Sequence, residues 1–73
     1  MERLYRIILT PESEGGFTVT VPSLPGCITW GEDIEHAKAM AREAISLYIE
    51  DMVAQGEDIP DDNSSLELTV VMA

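Results

Sequence analysis

Apolar and polar residues alternate in three runs of this chain and take helical spacing in one longer run between them. From Leu4 to Thr10, Tyr5, Ile7 and Leu9 fall on one side and Arg6, Ile8 and Thr10 on the other, which predicts a strand. From Phe17 to Val21 the alternation is strict, with Phe17, Val19 and Val21 facing inward and Thr18 and Thr20 outward. Pro11-Glu12-Ser13-Glu14-Gly15-Gly16 lies between them, and its two glycines are free to take positive φ, so the two runs read as a β-hairpin. Near the end, Leu66, Leu68, Val70 and Met72 share one side of a run from Leu66 to Met72, which predicts a final strand.

The middle of the chain reads differently. In Pro22-Ser23-Leu24-Pro25-Gly26 neither proline can donate to a ladder, so the segment is expected to be an ordered loop. Cys27 to Trp30 then forms a short third strand that Gly31 ends. Ile34, Ala37, Met40, Ala41, Ala44, Ile45, Tyr48 and Met52 recur every three or four residues, the apolar stripe of an amphipathic helix. Asp33 is a suitable N-cap, and Glu32 and Glu35 suit the positive end of the helix dipole. Gly56 sits where a C′ glycine belongs, so the helix should run to about Gln55. Glu57 to Ser65 is acidic, contains Pro60 and reads as a loop.

The element order is therefore βββαβ, an α+β domain of two layers with one helix packed on a four-stranded mixed sheet. One helix covers one face of such a sheet. Leu4, Ile8, Ile28 and Val71 are assigned to the other face, and that residual apolar surface predicts self-association as a homodimer or higher homo-oligomer. At 73 residues the whole chain, 1–73, is one domain. A domain of this size buries only about 60% of its unfolded surface, which also favours an oligomer or a partner.

Charge narrows the function. Fourteen Asp and Glu oppose four Lys and Arg, for a net charge of −10. From Glu43 to Ala73 there are eight acidic residues and no basic one. Such a surface repels phosphate backbones, so direct DNA binding is not expected, and it steers basic partners into encounter. The hydrophobic share of 45% argues against global disorder. The single cysteine cannot form an internal disulfide, no signal peptide is evident, and no apolar run approaches the roughly 20 residues that span a bilayer. A cytoplasmic protein with no membrane contact is expected.

The inventory offers little chemistry. One Cys and one His give no CxxC pair and no zinc spacing, and no phosphate-cradling loop precedes the helix. His36 reads as a first-turn surface residue and not a general base, because no partner orients it. Glu50-Asp51 and Asp61-Asp62 are adjacent pairs that read as solvated charge and not as a metal or acid–base site. Cys27 reads as a small buried apolar residue and not a reactive thiol. Trp30 could fill the core beneath the helix or anchor an interface, with the core reading preferred. No catalytic residue, metal or cofactor is expected, and the chain should act by binding.

One resemblance makes that expectation specific. Glu14-Gly15-Gly16-Phe17 leads to Val21-Pro22-Ser23-Leu24-Pro25-Gly26-Cys27, followed by Thr29, Gly31, Glu35, Ala37 and Glu43-Ala44. Leu47-Tyr48-Ile49, Gly56, Ile59 and Pro60 close the pattern. This resembles the HicB-like antitoxin family over nearly the whole chain, and the P-x-L-P-G-C segment is its specific part. The resemblance implies a truncated ribonuclease H-like fold without the catalytic carboxylates. It implies a small basic HicA-like toxin that cuts messenger RNA as the partner, neutralised when the antitoxin covers its RNA-binding surface. Glu57, Asp58, Asp61 and Asp62, with Trp30 as anchor, are the residues chosen for that contact.

Three departures from the family pattern carry expectations of their own. Many members add a C-terminal helix-turn-helix or ribbon-helix-helix domain; this sequence reads as a short form that ends at Ala73 without one. The usual Ser or Thr cap is Asp33 here. The usual Glu three residues later is His36, so the reciprocal half of the capping box should be lost. Two other functions compete: an orphan regulatory or scaffold domain of the same fold, and a ribonuclease H-like nuclease. The nuclease would need clustered carboxylates holding a divalent metal, together with basic contacts to substrate.

Overall fold

The computed structural model describes residues 3–60 and 68–73. Strands β1 (Ile8–Pro11), β2 (Phe17–Thr20) and β3 (Ile28–Gly31) form one antiparallel sheet in the order β1-β2-β3, and helix α1 (Ile34–Ala54) follows. The hairpin turn is closed by Glu12 N–H donating to Gly16 O and Gly15 N–H donating to Glu12 O, each 3.0 Å, with Gly15 and Gly16 both at positive φ. Pro11 takes a place in β1 because β1 is an edge strand, where a missing N–H costs no ladder bond.

The register sorts the side chains into two faces. Leu9, Val19 and Thr29 stand in one row and Thr10, Thr18 and Trp30 in the next. Val19 is fully buried against Ala37 and Ala41 of α1, with Ile7 and Leu9 beside it, so its row faces the helix. Ile7 and Leu9 face inward and Ile8 outward, as the alternation predicts. The ladder of β1 starts only at Ile8, four residues later than the predicted strand.

The P-x-L-P-G-C segment is two consecutive turns. Leu24 N–H donates to Val21 O and Cys27 N–H donates to Leu24 O, both at 3.0 Å, and Val21 N–H reaches back to Cys27 O at 3.2 Å. Pro22 and Pro25 each occupy the second position of a turn, where a fixed φ near −65° is already correct. Gly26 occupies the third position of the second turn at φ 84°, as a type II turn requires. Together the turns swing Leu24 inward, where it is 0% exposed and packs with Val21 and Cys27 against Tyr5, Ile7, Ala44, Ile45 and Tyr48. The Tyr48 hydroxyl donates to Pro25 O at 2.7 Å and ties the loop to the helix.

Both helix ends are capped. Asp33 Oδ1 accepts from His36 N–H at 2.8 Å. His36 Nδ1 instead accepts from Glu32 N–H at 2.9 Å, one residue before the cap, so the imidazole holds the approach to the helix without restoring the reciprocal capping-box bond to the N–H of Asp33. At the other end Gly56, at φ 73°, donates to Val53 O, and Glu57 N–H donates to Met52 O at 2.9 Å, the paired bonds of a Schellman motif. Asp33→Ala should cost about 0.5–2 kcal/mol, read as a lower urea midpoint at unchanged slope. An unaltered midpoint would show that the cap carries no stability.

The four-stranded mixed sheet is corrected among the described residues, where the sheet has three strands, all antiparallel. Residues 68–73 carry no ladder, and Leu68, Val70, Val71 and Met72 are exposed; Leu66 and Glu67 of the expected strand lie outside the described residues. Alternation states which faces a strand would have, but a strand also needs a neighbour for its backbone groups, and periodicity does not supply one.

Candidate partner-binding surface

The face of the sheet turned away from α1 carries Ile8, Thr20 and Ile28 in one cross-strand row and Thr10, Thr18 and Trp30 in the next. Ile28 is 62% exposed, Trp30 46% and Ile8 44%. Ile8 and Ile28 thus lie on the open face as expected. The preferred core placement of Trp30 is corrected: the core directly under the helix is filled by Val19, Ala37 and Ala41. Trp30, opposite the outward Thr18, is left on the other side.

Trp30 is nonetheless held in place. Its ring meets the edge of His36 at a centroid distance of 6.3 Å and an interplanar angle of 87°. Gly16 lies so close to it that an added Cβ would fall 2.6 Å from Trp30 Cε2 and nearer still to Cζ2. Beside the ring is a notch of about 460 Å³ lined by Glu12, Ser13, Glu14, Gly15, Thr18 and Trp30. The Thr18 hydroxyl donates to Glu12 Oε1. Neither Glu12 nor Glu14 is among the contact residues chosen from the sequence. Their segment reads as a turn, and only the pairing of Thr18 with Trp30 brings that turn to the tryptophan.

The acidic residues chosen with Trp30 are elsewhere. Glu57 and Asp58 are exposed just beyond the C-terminus of α1, whereas Trp30 stands at its N-terminus. A helix of 21 residues is about 30 Å long, so these residues cannot form one compact site. The loop is anchored at Pro60, whose carbonyl accepts from the Tyr5 hydroxyl at 2.6 Å. Asp61 and Asp62 lie outside the described residues.

The remaining chemistry is sparse. Among the described residues no three His, Cys, Asp or Glu side chains gather to hold a metal ion, and no helix is long and apolar enough to cross a membrane. Cys27 is buried, as expected, and burial pushes its thiol pKa up, away from the thiolate that reacts. At neutral pH it should react with a disulfide reagent at least about tenfold more slowly in the folded protein than in urea. Equal rates would show that the P-x-L-P-G-C turns open freely.

Comparison with known proteins places this architecture. The family model described as "HicB_like antitoxin of bacterial toxin-antitoxin system" matches residues 5–72. A UPF0150 protein of Thermoplasma acidophilum is 42% identical over 66 residues, covering 90% of this chain and 94% of the relative. A UPF0150 protein of Synechocystis is 38% identical over 77% of this chain and 71% of its own length. A protein named Antitoxin HicB 1, from Photorhabdus laumondii, is 36% identical over 77% of this chain, but the match spans only 36% of that relative.

Proposed function

The chain belongs to the HicB-like antitoxin family, and from that premise we propose that it neutralises a small, basic, HicA-type toxin that cleaves messenger RNA, by covering the toxin's RNA-binding surface. The observation that carries this reading is the family match over residues 5–72 in a chain of net charge −10. A nuclease that holds RNA presents Lys and Arg to phosphates, and an acidic surface competes for those groups. The likeness to a truncated ribonuclease H domain and a cytoplasmic location belong to the same reading. So does a role without catalysis, in which no cofactor is used and DNA is not contacted directly.

Co-expression tests it. A basic reading frame adjoining the gene should arrest growth alone and be tolerated beside this protein. If the neighbour is equally toxic in both settings, or no such neighbour exists, an orphan regulatory or scaffold domain takes the place of the antitoxin.

Self-association is part of the proposal. Leu4, Leu47, Val53, Val70, Val71 and Met72 expose apolar surface besides that of Ile8 and Ile28. Light scattering at high micromolar concentration should give at least a dimer mass; a monomer mass would count against it.

A further inference from the structure

The chain's single tryptophan is exposed, yet it packs against two neighbours. Gly16 leaves no room beyond contact with the indole, and His36, itself tied to Glu32 N–H, meets it edge-on. An exposed apolar ring held this firmly is a surface prepared before binding, which lowers the ordering cost of an interface. Around it stand two carboxylates, Glu12 and Glu14, and the first is oriented by the Thr18 hydroxyl.

Charge decides what such a notch accepts. Between Arg6 and Lys38 the chain has five acidic residues and no Lys or Arg. Arg3 and Arg42 line a different groove, with Tyr5, Ile45 and Ile49. An indole face attracts a cation, and a neighbouring carboxylate can take the same cation's N–H groups. A guanidinium does both at once, because its planar fork can stack and pair simultaneously.

We propose that the Trp30 notch, formed by Glu12, Glu14, Thr18 and Trp30 at the end of the open sheet face, receives an arginine side chain of the basic partner protein. Ile8 and Ile28 on the same face supply the apolar surroundings that exclude water from the contact. A second copy docked by the same face is the wrong occupant of this notch, since it brings its own Glu12 and Glu14 toward the same carboxylates. The inference rests on the antitoxin reading for the nature of the partner, and it moves the acidic contact from the loop after α1 to the hairpin turn.

Trp30 supplies its own reporter. A fluorescein-labelled peptide of alternating arginine and glycine should shift Trp30 emission and bind with an anisotropy change; the matching glutamate peptide should do neither. Glu12→Gln with Glu14→Gln, and separately Trp30→Leu, should each weaken arginine-peptide binding by about tenfold or more. Glu57→Gln with Asp58→Asn removes the same charge at the far end of α1 and should change binding by less than about twofold. Equal losses in the two double variants would reduce the notch to diffuse charge and overturn the proposal. So would unchanged binding in Trp30→Leu, or Trp30 emission that shifts with protein concentration alone, which would mean that a second copy covers the face. Circular dichroism checks that each variant folds; if Trp30→Leu does not, the comparison of the two double variants still decides. A protein that binds the peptide here but fails to relieve toxicity keeps the notch and loses the antitoxin reading. Relief of toxicity that survives Glu12→Gln with Glu14→Gln keeps that reading and removes the notch.

Discussion

Gly31→Ala is expected to destroy the packing of the helix on the sheet. Two effects oppose each other at this position. Replacing glycine inside a strand should by itself gain about 0.5–1 kcal/mol, because alanine loses less backbone freedom on folding. Against it stands the close approach of α1: a Cβ on Gly31 would fall 2.8 Å from Ala37 Cβ, and closer still to Ala37 N and Cα. Those are backbone atoms of a capped helix, so no rotamer change relieves the contact. Overpacking a core with movable side chains costs about 1–3 kcal/mol, and a clash with fixed backbone should exceed that range. At about 0.05–0.15 kcal/mol per residue, a domain of this size holds roughly 4–11 kcal/mol in all, so the loss is a large part of the total. Thermal unfolding followed by far-ultraviolet circular dichroism should show a transition lowered by more than about 10 °C, or none at all. A transition at the wild-type temperature would mean that α1 does not rest on Gly31.

Gly31 also shows where the sequence stops being legible. Read as a string, it is a glycine after a short strand and therefore a terminator; in the fold it is the last residue of β3, and its missing side chain is where the helix sits. The hairpin, the third strand, the helix and both of its caps were legible, because each rests on local rules: alternation, a stripe at helical spacing, Asp33 at the cap and Gly56 beyond the end. The family was legible because the P-x-L-P-G-C turns use residues with few substitutes. The notch was not legible. Glu12 and Trp30 are eighteen positions apart, and only a strand register places one beside the other. The final strand has no ladder over residues 68–73, for the related reason that its pattern names no neighbour. The bond made by His36 was hidden for another reason: capping rules are written for carboxylates and amides that reach the cap's own N–H, whereas this imidazole accepts the N–H of Glu32, one residue earlier.

Leu24→Ala should be the most costly truncation in the core. Leu24 and Val19 are the largest fully buried side chains among the described residues, and leucine has the greater volume to lose. Removing a buried leucine to alanine costs about 2–5 kcal/mol, at the upper end where the surroundings cannot collapse. The surroundings here are stiff. Two prolines and a glycine at positive φ set the backbone on either side, and the Tyr48 hydroxyl bond to Pro25 O holds the loop to α1. The cavity therefore stays open, and the loss should fall toward the upper half of the range. Ile28→Ala is the control: its side chain is 62% exposed on the open face, so the change should stay within about 0.5 kcal/mol. Urea titration separates the two as a large drop in midpoint for Leu24→Ala at unchanged slope, against almost none for Ile28→Ala. Peptide binding at Trp30 should survive in whatever fraction of Leu24→Ala remains folded, because the two positions share no contact cluster. Equal midpoints for the two variants would mean that the loop is not seated in the core, and that the two turns of P-x-L-P-G-C serve some purpose other than burying Leu24.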